Sequence, residues 1–154
     1  MPRIDRANAR VVTGTRYPQP YDAPCRHKSQ VRLSDAAGLT QFGVHELTLP
    51  PGEWSSQRHW HSHEDEFVYV LAGQVVLVTD EGEELLAAGD CAGFRAGAPN
   101  GHCLQNRADV PALVLVVGAR HDEDRGVYPD IDLALSPGRY SGRGAFTRKD
   151  GTPY

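Results

Sequence analysis

The central part of the chain sets apolar and polar residues side by side in short runs, as in Glu66-Phe67-Val68-Tyr69-Val70-Leu71. A period near two, with enrichment in Val, Leu, Phe and Tyr, predicts β-strands rather than helices. Strands are expected at 43–49, 56–61, 66–71, 74–79, 84–87, 91–94, 102–106 and 112–117. Between them lie Pro50-Pro51-Gly52, Ala72-Gly73, Asp80-Glu81-Gly82, Ala88-Gly89-Asp90, 97–101 and 108–111, each with turn chemistry. The helical signal is confined to Ser34-Asp35-Ala36-Ala37, which Gly38 stops. Many short strands joined by closely spaced turns predict an all-β sandwich or barrel.

The two ends, 1–30 and 120–154, show little periodicity. Tyr128, Ile131, Leu133, Tyr140, Phe146 and Tyr154 are too apolar for a solvated tail, so the C-terminal segment is expected to pack on the barrel or on a partner subunit. A homodimer is expected as well, because sheet edges and apolar ends call for cover. The length, 154 residues, suits one domain over 1–154 with its barrel at about 40–118. Net charge is −4 with both signs dispersed, which argues against nucleic acid or an anionic membrane as partner. No apolar run is long enough to cross a bilayer and the first ten residues have no signal-peptide core, so a cytoplasmic location is expected. Cys25, Cys91 and Cys103 lack the spacing of a zinc knuckle or redox pair and read as free thiols. If His102 points inward, Cys103 should point out.

The candidate chemistry centres on His59-Trp60-His61, two imidazoles on one face of an extended strand, about 7 Å apart along the chain. Glu66 follows the polar stretch Ser62-His63-Glu64-Asp65, which permits a turn and brings a carboxylate to the two nitrogens. His102 opens a later strand and would complete a set of three imidazoles and one carboxylate around a divalent ion, with positions left open for water or substrate.

These residues also carry a family resemblance. The stretch Gly52…His59-x-His61-x4-Glu66-x6-Gly73 resembles the first cupin motif, and Gly89…Arg95-x-Gly97…His102-x3-Asn106 resembles the second, together covering about 40–118. The resemblance implies a double-stranded β-helix barrel whose metal ligands are His59, His61, Glu66 and His102. Three departures stand out: Gly52 lies one residue farther from His59 than usual, Arg95 stands where proline is common, and the loop from Gly97 to His102 is long. The wider string, ending in Lys149-Asp150-Gly151-Thr152-Pro153-Tyr154, is similar to small bacterial cupins, some called sugar-phosphate or mannose-6-phosphate isomerases. Phosphomannose isomerases use a Gln-containing ligand set that this sequence lacks.

Other polar residues take secondary roles. His45 shares its face with Leu47 and Leu49 and is a candidate acid/base inside the barrel, while Arg95 is a candidate anchor for an anionic substrate. Ser55 and Gln57 have the parity of His59 and can line the same cavity. His63 reads as a rim residue, Glu64 and Asp65 as solvated turn acids, and Trp60, Phe67 and Tyr69 as core or interface residues facing away from the ligands. The donor set suits Mn, Fe, Ni or Zn. The leading expectation is an isomerase or lyase acting on a small polar molecule, a sugar phosphate or carboxylate, through a metal-stabilised enolate. A metal-dependent dioxygenase and a non-enzymatic ligand-binding cupin are the alternatives.

Overall fold

The structure, a computed structural model, describes residues 3–154. Its frame is a six-stranded antiparallel sheet built from β1 (Val11–Thr13), β2 (Ser29–Arg32), β3 (Phe42–Leu49), β10 (Ala112–Ala119), β5 (Glu66–Ala72) and β8 (Cys91–Phe94), in that order across the sheet. Facing it is a three-stranded sheet of β7 (Gly82–Ala87), β6 (Gln74–Thr79) and β9 (Cys103–Gln105). A third sheet runs β13 (Phe146–Thr147), β12 (Ala134–Leu135), β11 (Gly126–Val127) and β4 (Trp60–His61). One short helix, α1 (Leu33–Ala36), occupies the predicted helical turn.

Alternation decides what fills the interior. Leu47 and Leu49 on β3 pair with Val114 and Ala112 on β10, and Val114 pairs in turn with Val70 on β5. Residues directly opposite share a face, so these side chains form one apolar layer. Val75 and Leu77 from β6, Leu86 from β7 and Leu104 from β9 close it from the other sheet. Each fully buried Leu or Val contributes about 1.5–3 kcal/mol, so this cluster is the main stabilising element. A second cluster, Tyr128, Leu133 and Leu135 with Tyr17, Tyr21, Ile131 and Phe146, joins the two chain ends to each other, and β11 pairs with β4. The C-terminal segment therefore packs on the barrel itself. No helix among the described residues is long and apolar enough to cross a membrane.

The turn between β5 and β6 accepts only glycine. Gly73 has φ +74°, and a Cβ there would sit 2.8 Å from the Pro111 carbonyl oxygen.

The structure departs from the expected strands in three places, one of them the C-terminal segment, which forms β11, β12 and β13. The strand expected at 56–61 is reduced to Trp60–His61 and a bridge from His59 to His102. Residues just before it turn their hydrogen bonds elsewhere: the Trp54 N–H to the Pro24 carbonyl and the Ser55 N–H to that of Leu104. At the N-terminal end, β1 lies inside the segment that shows no period and β2 begins within it. Gln30 pairs with Leu47 and Arg32 with His45, so the inward face of β2 is polar and its pattern inverts the usual one.

Cys103 faces away from Leu104, as parity requires, yet it is 1 % exposed. Its outer side is covered, with the Gln105 amide 3.8 Å from Sγ, and burial pushes the thiol up to about 11.

Candidate metal centre

Four donors converge at one end of the barrel. His59 and His102 hold each other through a pair of backbone hydrogen bonds, 3.1 and 2.9 Å long, and His61 lies on β4 two residues on. Glu66 opens β5 on the face of Val68 and Val70. The Nε2 atoms of His59 and His61 are 3.1 Å apart, the Glu66 Oε2 lies 3.1 Å from His102 Nε2, and it lies 3.9 Å from His61 Nε2. Donor atoms of His59, His61 and Glu66 fall within 4.8 Å of one another, a grouping that could hold a metal ion, and His102 adjoins it through Glu66.

Hydrogen bonding sets the tautomers of the pair. His59 Nδ1 lies 2.9 Å from the Gln57 carbonyl oxygen, which only accepts, so Nδ1 carries the proton. His61 Nδ1 lies 2.6 Å from Asp124 Oδ2 and donates to that carboxylate. Both Nε2 atoms are left with lone pairs pointing at each other, an arrangement that calls for a proton or a metal ion between them. Burial, followed by the neighbouring His61 and His102, lowers His59 to about 3 and keeps it in the neutral form that coordinates metal. Burial works against charge on His61, but the bond to Asp124 and the charge of Glu66 more than offset it and raise its pKa. Burial likewise pushes Glu66 up, yet the His102 hydrogen bond and the surrounding imidazoles hold it well below the usual carboxylate range.

Aromatic rings fix two of the imidazoles. Phe94 stacks on His102 with centroids 3.5 Å apart, and Tyr128 stacks on His59 at 5.5 Å.

Asp124 is the functional residue that sequence reasoning missed. It is 1 % exposed, binds His61 through Oδ2, and through Oδ1 accepts from the His63 N–H at 2.8 Å and the Ser62 hydroxyl at 3.3 Å. Within the dense run His121-Asp122-Glu123-Asp124-Arg125 nothing distinguishes this acid from its solvated neighbours. Glu64, expected to be a solvated turn acid, is instead buried. Its Oε1 accepts from the His121 N–H at 2.9 Å, and Arg139 reaches Oε2 at 3.6 Å. The chain beyond β10 folds over the 62–65 turn, and that long-range cover is invisible in local pattern. His63 is exposed and stacks on His121, outside the donor group, and Asp65 is also exposed.

A pocket of about 240 Å³ opens on the donors, lined by Trp60, His61, Glu64, Phe94, Arg95 and His102 among others. Trp60, expected in a core or interface, is therefore part of the pocket wall. Phe67 and Tyr69 lie on the outer face of β5, 41 % and 38 % exposed. Arg95 is exposed at the pocket. Gln57 and Ser55 are tied to the N-terminal segment, the Gln57 amide donating to the Tyr21 carbonyl and the Ser55 carbonyl accepting from Lys28. His45 lies on the inward face of β3 opposite Val116, and burial together with the charge of Arg32 lowers it to about 4.

A small β-barrel thus gathers three imidazoles and one carboxylate at one end, a set that could hold a metal ion. The chain belongs to the cupin family, with a cupin domain matched over residues 45–118. It is similar along its length to a sugar phosphate isomerase of the cupin superfamily from Silicibacter pomeroyi, with 46% identity, 99% of this chain and 96% of that chain covered, and a TM-score of 0.93. A provisionally named sugar phosphate isomerase from Acidithiobacillus ferrooxidans is 30% identical over 83% of this chain and 80% of its own, with a TM-score of 0.74. A predicted oxalate decarboxylase from Thermotoga maritima shares the fold at 20% identity, covering 77% of this chain and 98% of its own with a TM-score of 0.60. No match is found among curated proteins.

Proposed function

We propose that this protein is a metal-dependent cupin enzyme of isomerase or lyase type, acting on a small sugar phosphate or related polar carbonyl compound. The observation that carries the proposal is the pair of tautomer-fixed Nε2 atoms facing each other at 3.1 Å beside Glu66 and His102. His59, His61, Glu66 and His102 would hold a divalent ion, Mn, Fe, Ni or Zn by donor type. Such an ion, when bound, supplies Lewis-acid polarisation of a carbonyl or hydroxyl oxygen and acidifies the adjacent C–H. The similarity to a sugar phosphate isomerase supports the substrate class.

The chain's own residues divide the remaining tasks. His45, kept neutral by burial, accepts a proton from substrate carbon and returns it. Phe94 and Tyr128 hold the His102 and His59 rings in place and cover them from water. Arg95 offers a guanidinium to an incoming anionic group at the pocket mouth.

The test is solvent exchange. Metal-loaded protein is incubated in deuterated water with a panel of phosphorylated aldoses and ketoses, and NMR follows the hydrogen next to the carbonyl. Metal-dependent deuterium incorporation is expected. Substrate-dependent O₂ uptake without exchange would establish dioxygenase chemistry instead, and saturable binding with neither would establish a ligand-binding protein.

A further inference from the structure

The inward face of β2 is cationic. Gln30 and Arg32 lie on one side of the strand, opposite Leu47 and His45, and Lys28, immediately before the strand, has the same parity. Leu47 and Leu49 lie in the barrel core, so this side of β2 faces the interior. An interior that takes an ammonium and a guanidinium where period two calls for apolar residues has a reason beyond folding, since buried charge is costly unless paired.

Neither cation is paired. Lys28 is 7 % exposed, and its ammonium has one partner, the Ser55 carbonyl oxygen. Two acids act on it from nearby: Glu66, which the imidazoles engage, and Glu53, which spends its carboxylate on the His27 and Lys28 backbone N–H groups and on the His27 ring. Arg32 is half-buried, and among the described residues its guanidinium makes no hydrogen bond or ion pair. Burial is the main cause lowering both groups, and the charges of Arg32 and Lys28 both depress His45, opposed by that of Glu66.

We propose that Lys28 and Arg32 form a phosphate-holding site inside the barrel, on the flank of the metal centre away from Arg95. Arg95 follows β8 at one end of the six-stranded sheet, whereas β2 lies near the other end, with His45 on β3 beside it. A substrate lying between would place its phosphate on β2 and its carbonyl toward Glu66, passing His45. Four residues on one strand span about 13 Å, a gap that two long side chains and a phosphate group can close over Gln30. Charge favours phosphate over a single carboxylate, because a dianion with three acceptor oxygens matches two unpaired cations. The exposed Arg95 is the weaker holder, since ion pairs in full solvent contribute little. The assignment rests on the reading of a metal-dependent enzyme for sugar phosphates, and it names where that phosphate is held.

Calorimetric titration of inorganic phosphate into wild-type protein, with and without bound metal, tests it. Arg32→Ala and Lys28→Met are each expected to weaken phosphate about tenfold or more, with Arg32→Lys recovering part. Arg10→Gln, a neighbouring exposed cation, controls for overall charge and is expected to change little, and Arg95→Ala to cost less than about threefold. Circular dichroism verifies folding of each variant. If Lys28→Met does not fold, the Arg32 pair decides. Phosphate affinity unchanged by Arg32→Ala, a larger loss in Arg95→Ala, or acetate bound as tightly as phosphate overturns the site. Arg32-dependent phosphate binding in a protein that takes up no metal would overturn the metal-dependent reading and leave the site standing. Normal metal uptake without Arg32-dependent phosphate binding would do the reverse.

Discussion

The strands of the barrel and the two chain ends make different contributions to the candidate metal centre. His59, His61, Glu66 and His102 all come from the barrel region, whose pattern is regular and whose core is aliphatic. The groups that hold them come largely from outside it: Asp124 on His61, Tyr128 on His59 and Tyr17 behind Tyr128, with ring centroids of the two tyrosines 5.7 Å apart. The N-terminal end also brings Lys28 to the barrel interior, on the side of Arg32. In this chain the donors and the groups that hold them thus come from regions far apart in sequence.

The largest effect is expected on the barrel side of this comparison. His61→Ala and Glu66→Ala should abolish stoichiometric metal, whereas His63→Ala should retain it, as read by metal analysis of the purified variants. Retention in Glu66→Ala with loss in His63→Ala would move the site to the rim.

On the other side, Asp124→Ala should lower metal affinity by about 10–100-fold with the donors intact, measured by chelator competition. Asp124→Asn should recover part of it, because the amide oxygen still accepts from His61 Nδ1. Equal affinity in wild type and Asp124→Ala would show that the barrel fixes its own donors.

A smaller effect concerns pH. His45 falls from its ordinary 6.5 to about 4 in the folded protein, so between those values the unfolded chain binds the extra proton. Stability of the metal-free protein should therefore drop as pH falls from about 6.5 toward 4, and the slope should flatten in His45→Gln. Thermal midpoints of both proteins across that range check it, and parallel slopes would contradict a neutral buried His45.

The smallest effect on the fold is expected at the outer face of β5, where Phe67, Tyr69 and Leu71 are about two-fifths exposed. This apolar row is a suitable surface for the expected homodimer. Tyr69→Lys should give a monomer by light scattering while changing protomer stability by no more than about 0.5 kcal/mol. A wild type that is monomeric at every concentration would remove the dimer.

Much of this was legible beforehand, for reasons that also explain the gaps. Strands such as β5, β6, β8 and β10 show in the pattern because one face meets the core and the other does not. The donors show because two motifs fix their spacing. β2 escaped because its inward residues are Gln30 and Arg32, which invert the rule that locates strands. Asp124 and Glu64 escaped because their burial comes from contacts about sixty residues apart in sequence, as in the 2.6 Å bond from His61 to Asp124, where |i−j| is 63.

That last bond has a consequence for the order of events in the cell. Synthesis proceeds from the N-terminus, so all four donors leave the ribosome before Asp124 does. Until then the nascent His61 ring lacks the Asp124 carboxylate that accepts from its Nδ1 and fixes its tautomer. An ion met by the emerging chain before residue 124 would find the four donors without the Asp124 bond, a weaker set of ligands than the folded protein offers.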